Sequence, residues 1–341
     1  KELYITDSNI SSLEGIQYFT NLSILQCEFN QLTSLNVSNN TALTSLDCNY
    51  NQLTSLDVSN NTALIELHCY NNQLTSLNVN SNTVLFKFDC GGNQLTNLNI
   101  SNNTALTNLW CSQNQLTSLN VSNNSALTKL DCSGNQITSL NVNSNTALLN
   151  FDCSGNQLTN LNISNNSALI TLWCSYNQLT SLDVSSNTAL TSLFCNNTLL
   201  TTLNVSSNTA LTELRCYNNQ LANLNVSNNT TLTNLRCNDN QLTNLNVSNN
   251  TALIVLICSN NQLTNLNISN NTALTYLQCN SNQLTNLFLK NNKNESTLDF
   301  SNNPNLSYIC ADEGQLAAVQ TKINSYGYAT SCHANSYCSF V

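Results

Sequence analysis

The sequence predicts a β-rich solenoid of parallel strands, and three observations carry that expectation. Thirteen of the 16 cysteines fall at Cys27, Cys48, Cys69, Cys90, Cys111, Cys132, Cys153, Cys174, Cys195, Cys216, Cys237, Cys258 and Cys279, each 21 residues after the last. A fixed period in the range of 20 to 50 residues marks a stacked repeat architecture. Apolar residues within one period recur at strand-like spacing and end on an Asn. Charged residues make up only 7% of the 341 and Asn about a fifth, so the Glu, Lys and Arg that build helix surfaces are scarce.

The rung at residues 64–84 shows the unit. It opens Leu64-Ile65-Glu66-Leu67-His68-Cys69-Tyr70-Asn71-Asn72 and repeats the theme through Leu74, Leu77 and Val79. Each half reads as a short strand with its Leu and Cys or Val turned inward, followed by an Asn corner. One rung cannot bury its own Leu face, so stacking must supply the core. About fourteen rungs are expected, with residues 1–26 as an N-terminal capping repeat, 27–303 as the solenoid and 304–341 as a small C-terminal cap.

Two Asn columns follow the same period, one through Asn51, Asn72, Asn93 and Asn114, the other through Asn40, Asn61, Asn82 and Asn103. A side-chain amide donates and accepts at once, so stacked Asn side chains suit the backbone groups of a buried corner. Thr198 stands where one corner Asn is due, which predicts a local loosening. The Cys column reads as a row of small buried hydrophobes. Adjacent parallel strands give poor disulfide geometry, and no His or carboxylate shares the column to complete a metal site.

These residues resemble the leucine-rich repeat family. Leu64, Leu67, Cys69, Asn72 and Leu74 match its L-x-x-L-x-L-x-x-N-x-L signature, with Cys in place of the third Leu. The nested half-repeat is similar to the bacterial 21-residue subclass called IRREKO, and the longer step from Leu3 to Cys27 resembles internalin-type repeats. The resemblance spans residues 3–309 and implies a right-handed coil of parallel strands. It implies a binding scaffold without implying a ligand.

After Pro304 the repeats stop. Asp312 through Gln320 read as a short helix with an acidic first turn. The segment around Asn303, Pro304, Leu306 and Cys310 resembles the ends of Bacteroidota surface proteins of this family. Cys310, Cys332 and Cys338 lie outside the 21-residue series. A Cys310–Cys332 disulfide is the preferred pairing, and three cysteines leave the other pairings open. The chain begins without a signal-peptide pattern and ends just after Cys338 without a sorting module, as expected of a mature domain cut from a longer protein.

Net charge is −9 with 8 basic residues, which argues against nucleic acid and anionic lipid as partners. No apolar stretch is long enough to insert into a bilayer. A cap disulfide, Asn/Ser/Thr-rich faces and scarce Lys point to a secreted or cell-surface monomer. Nearly every rung carries N-x-S/T, as in Asn36-Val37-Ser38. Glycans on all of them would collide, which favours a bacterial origin.

Repeats also separate scaffold from site. The outward columns of the second half-rung barely vary: Ser34, Ser55, Ser76 and Ser118 in one, Asn36, Asp57, Asn78 and Asn120 in the other. The outward column before Cys varies strongly and runs Asp47, His68, Asp89, Trp110, Asp131, Asp152, Trp173, Phe194, Arg215, Arg236. This face is the expected contact surface for a protein or glycan partner on a cell surface. Its residues are Trp110, Asp131, Asp152, Trp173, Tyr176, Phe194, Arg215 and Arg236, with the indoles exposed and roughly 14 Å apart at strand spacing. Gly134 and Gly155 would clear space beside Asp131 and Asp152, and one of those two carboxyls should titrate high.

Catalysis is not expected, since His68 and His333 are the only histidines and neither has a placed nucleophile and orienting acid. No cofactor or metal is implied. The alternative role is a surface spacer or ice-adsorbing protein that uses the invariant Ser/Asn/Thr face.

Overall fold

A computed structural model describes residues 1–338, in two compact units, Lys1–Leu169 and Ile170–Val341. The first unit stacks eight three-residue strands: β1 (Glu2–Tyr4), β2 (Ile24–Gln26), β3 (Ser45–Asp47), β4 (Glu66–His68), β5 (Lys87–Asp89), β6 (Asn108–Trp110), β7 (Lys129–Asp131) and β8 (Asn150–Asp152). Each is parallel to the next, with Leu3, Leu25, Leu46, Leu67, Phe88, Leu109, Leu130 and Phe151 in register. Side chains alternate along a strand, so the central residue turns inward and its two neighbours outward. From Leu25 onward the central column is buried.

The second unit continues the pattern within itself. Strands β9 (Thr171–Trp173), β10 (Ser192–Phe194), β11 (Glu213–Arg215), β12 (Asn234–Arg236), β13 (Val255–Ile257), β15 (Tyr276–Gln278) and β17 (Thr297–Asp299) pair in parallel register. A second parallel sheet joins β14 (Asn265–Asn267), β16 (Asn286–Phe288), β18 (Tyr308–Cys310) and β19 (His333–Asn335). The expected parallel-strand solenoid is therefore present in both units.

The Asn corners explain why each rung closes. Asn72 Nδ2 donates to the carbonyls of Cys48 and Cys69 at 3.0 and 3.2 Å, and its Oδ1 accepts from Leu53 N–H at 2.9 Å. The bond reaches into the preceding rung, so each corner also sets the register of its neighbour. The other column is only half satisfied. Asn61 Nδ2 donates to the Val37 and Asn40 carbonyls, while Oδ1 of Asn61, Asn82 and Asn103 is buried without a partner among the described residues.

The cysteines of the 21-residue series are fully buried, and none is disulfide-bonded among the described residues. Several thiols donate to the strand carbonyl of the next rung, Cys27 to Asp47 and Cys69 to Asp89 at 3.3 Å. A Leu could not make that bond. Burial pushes the Cys27 thiol up to about 12 and those of Cys48 and Cys90 well above their ordinary value, so they stay protonated and unreactive.

At the irregular rung, Thr198 Oγ1 lies 3.0 Å from the Cys195 carbonyl and 2.6 Å from Asn219 Oδ1. One hydroxyl proton cannot replace an amide that donates twice and accepts once. Thr198→Asn restores the donor to the Cys174 carbonyl and the acceptor for Leu179 N–H. It is expected to stabilise the protein by about 1 kcal/mol, and an unchanged or lower urea midpoint would contradict this.

The C-terminal segment closes over the last rungs. Its helix begins later than expected, as a 3-10 turn at Glu313–Gln315 followed by α1 (Leu316–Ser325). Asp312 is not spent on capping the helix, because its Oδ2 accepts from the backbone N–H groups of Asn291 and Asn292 at 3.1 and 2.8 Å. Phe300, which takes the next place in the Cys series, is covered by the rings of Tyr326 and Tyr328.

The disulfide expectation is corrected: Cys310 pairs with Cys338, and Cys332 is a free buried thiol. β19 runs beside β18 with Asn335 opposite Cys310. Asn335 Oδ1 then accepts from the N–H groups of Tyr337 and Cys338. That turn brings Cys338 back to Cys310, with 5.0 Å between the Cα atoms.

Candidate functional site

The expected contact residues divide between the two units. Trp110, Asp131 and Asp152 lie in the first, on consecutive strands and in register. Trp173, Phe194, Arg215 and Arg236 do the same in the second. All seven follow the buried central Leu or Phe of their strand, so the backbone aims them outward.

In the second unit these side chains are already organised. The Trp173 and Phe194 rings stack with centroids 5.6 Å apart and planes 5° apart. The Arg215 guanidinium sits 4.8 Å from the Phe194 centroid on a cation–π contact. Its Nη2 and Nε also meet Glu213 Oε1 at 2.7 and 2.8 Å. Glu213 accepts in addition from Asn234 Nδ2, whose Oδ1 in turn holds Arg236 Nε at 3.3 Å. The result is a row of flat groups, two aromatic and one guanidinium, braced from the side by one carboxylate. Tyr176 stands beside the row, 59% exposed. It raises the hydroxyl pKa of Tyr217, which burial raises first.

Several expectations change here. Trp110 and Trp173 are half-buried rather than exposed: Trp173 is covered by the Phe194 ring on the next rung, while Trp110 stands between Asp89 and Asp131. Glu213 and Tyr217 also belong to the second cluster, beyond the residues expected there. Tyr217 stands one residue after its Cys where Tyr176 stands two after, so their adjacency was hidden by the register.

The glycines have a second, conformational reason. The position two residues after Cys has positive φ in rung after rung, 51° at Tyr50, 55° at Asn71, 54° at Gln113 and 55° at Tyr176. Gly134 and Gly155, both at 62°, therefore answer a left-handed corner that Gly adopts without penalty. A Cβ on Gly134 would also run into the Gln113 amide.

The carboxylates of the first unit have a structural duty too. Asp131 Oδ1 accepts from Ser133 N–H and Oγ at 2.9 and 2.7 Å, and Asp152 Oδ1 from Ser154 N–H at 2.8 Å. Burial raises the Asp152 carboxyl, opposed by the Ser154 bonds and reinforced by Asp131. Asp89 is raised to about 6, chiefly by burial, with its Gly91 bond and His68 pulling down and Asp131 and Asp47 pushing up. A carboxyl that titrates higher in the folded chain than in the unfolded one favours the fold when protonated. Stability from Asp89 should thus be lost as the pH rises from about 4 through 6. Asp89→Asn keeps the acceptor for Gly91 and is expected to stabilise the chain at pH 7 by roughly 1–2 kcal/mol, with a flatter pH dependence. A variant less stable than the parent at pH 7 would contradict this.

No protein-family model and no curated protein matches the chain. Among solved structures it is similar to the functional domain of InlJ from Listeria monocytogenes, which includes a cysteine ladder. Identity is 37%, with 91% of this chain and 68% of that one covered, at a TM-score of 0.82. The chain belongs to the leucine-rich repeat family. Its leucine-rich repeat fold is also similar to LIC12759 from Leptospira interrogans, at 24% identity, 98% and 95% coverage and a TM-score of 0.80. The internalin InlF from Listeria monocytogenes matches at 24% identity, 99% and 87% coverage and a TM-score of 0.65. Leucine-rich repeat proteins of this kind are typically binding or adhesion modules. No helix among the described residues is long and apolar enough to cross a membrane.

Proposed function

We propose that this leucine-rich repeat chain is a non-catalytic binding module, secreted or displayed on a bacterial surface, that engages a protein partner through its variable strand face. The observation that carries this reading is the Trp173–Phe194–Arg215 row. Aromatic and Arg side chains held rigid by neighbours are the groups that dominate protein interfaces, because little entropy is lost when they are covered. Tyr176, Phe194, Arg215 and Arg236 are the contact residues proposed on the second unit, with Trp173 bracing them. Trp110, Asp131 and Asp152 are those proposed on the first.

An array of surface proteins and glycans identifies the partner class, and a glycan hit in place of a protein would overturn the partner reading. Tyr176→Gly is the informative variant, since φ at this position suits Gly and removal of the ring leaves the fold intact. Binding should weaken about tenfold or more, the usual hot-spot scale, with the melting temperature unchanged or raised. Full retention of affinity would remove Tyr176 from the site. Trp173→Ala is less clean, because it also deletes the stack on Phe194.

A second reading, spacing or ice adsorption, rests on the invariant half-rungs. There Ser and Asn rims flank shallow grooves floored by leucines, as at Ser55, Leu56, Asp57, Ser76 and Leu77. Thermal hysteresis with ice shaping would favour it.

A further inference from the structure

A second aromatic feature lies in the first unit, away from the proposed contact residues. Phe29 and Tyr50, on consecutive rungs, stack with centroids 4.4 Å apart and planes 11° apart. Tyr70 meets Tyr50 edge-on at 5.3 Å and lies so close to Gly91 that a Cβ there would come within 3.0 Å of its Cδ2. The platform is open: Phe29 is 51% and Tyr50 39% exposed. Both sit at the left-handed corner, with φ of 56° and 51°, a conformation unfavourable for an ordinary L-residue. Other rungs of this unit place Asn, Gly or Gln there. Exposed rings held on an unfavourable backbone are a mark of contact surfaces.

The surroundings decide what kind of contact. Asp47 and Asp89 flank His68 on adjacent strands, and Glu28 directly precedes Phe29. One Glu28 oxygen accepts from Thr6 Oγ1 at 2.7 Å, while Oε2 is buried with no partner among the described residues. The carboxylates feel one another, since Asp47 is raised first by burial and further by Glu28. Ten acidic and only three basic residues fall within Lys1–Leu169, so the negative field extends beyond the cluster. In the second unit Arg215 already covers the Phe194 ring. Among the described residues no cation lies over Phe29, Tyr50 or Tyr70.

We propose that the Phe29–Tyr50–Tyr70 platform, bordered by Glu28, Asp47 and Asp89, docks a basic peptide segment of a partner protein. An arginine or lysine stem laid along the rings gains dispersion and cation–π attraction, and its charged head reaches the Glu28 carboxylate, whose Oε2 has no partner among the described residues, beside the Asp47 and Asp89 carboxylates that share His68 between them. A neutral sugar would gain the stacking and nothing from the charge.

The test titrates a fluorescein-labelled hexa-arginine peptide onto the full chain at physiological ionic strength. Phe29→Gly/Tyr50→Gly leaves net charge unchanged and suits the left-handed corner, so it separates the platform from the field. Binding is expected to weaken about tenfold or more in this variant and in Asp47→Asn/Asp89→Asn, with the salt dependence reduced only in the second. Unchanged binding in the glycine variant would reduce the interaction to general charge attraction and overturn the proposal. So would failure of the parent chain to bind the peptide. A neutral oligosaccharide that binds the parent and not the glycine variant would replace it with a sugar site.

Discussion

Leu109→Ala is expected to cost the fold about 2–5 kcal/mol. Leu109 is the central residue of β6, fully buried, with Phe88 and Leu130 in register on either side. A cavity there interrupts a column that rungs cannot close by sliding, because the Asn corners above and below hold their spacing. Ser118 is exposed, and Ser118→Ala should change stability by no more than about 0.5 kcal/mol. Equal losses in urea unfolding at both sites would mean that inward and outward columns are misassigned.

The second large effect separates the two Asn columns, which look alike in sequence. Asn114 Nδ2 donates to the Cys90 and Cys111 carbonyls, and its Oδ1 accepts from Leu95 N–H at 2.9 Å. In Asn114→Ala the two carbonyls keep Asn93 and Asn135 as donors, but the Leu95 N–H is left buried and unpaired. Asn124 donates to the Ile100 and Asn103 carbonyls, which also accept from Asn103 and Leu106 N–H groups. Its own Oδ1 is an orphan. Asn124→Ala therefore strands no donor. Loss of a buried partner costs about 1–3 kcal/mol, so Asn114→Ala should be the more damaging by at least about 1 kcal/mol. Urea midpoints with equal m-values would show it, and equal damage at both positions would contradict the hydrogen-bond account.

The legible and the hidden parts of this protein differ in kind. A position repeated every 21 residues exposes its chemistry through what it tolerates, so the inward Leu, Cys and corner Asn could be read directly. Gly134 and Gly155 stand beside Asp131 and Asp152, but their own column gives a second reason for Gly. Their column also carries Asn71, Asn197, Asn218 and Asn260, and a mixture of Gly and Asn is the sign of a left-handed corner. The disulfide lay beyond reach for another reason: Cys338 reaches Cys310 only because Asn335 turns the chain, an event with no period to reveal it. Half-burial of Trp173 depends on the Phe194 ring one rung away, and a column taken residue by residue does not show contacts across it.

The central claim is that the variable half of the rung recognises a partner while the invariant half serves the scaffold. It is tested most directly by titrating the identified partner against two folded variants. Phe194→Ala/Arg215→Ala removes part of the braced row on the variable face, and Thr202→Lys/Asn204→Lys alters exposed residues of the opposite half-rung. The first is predicted to lose about tenfold or more in affinity and the second to bind as the parent does. Loss confined to the second variant would place recognition on the invariant face and contradict the account.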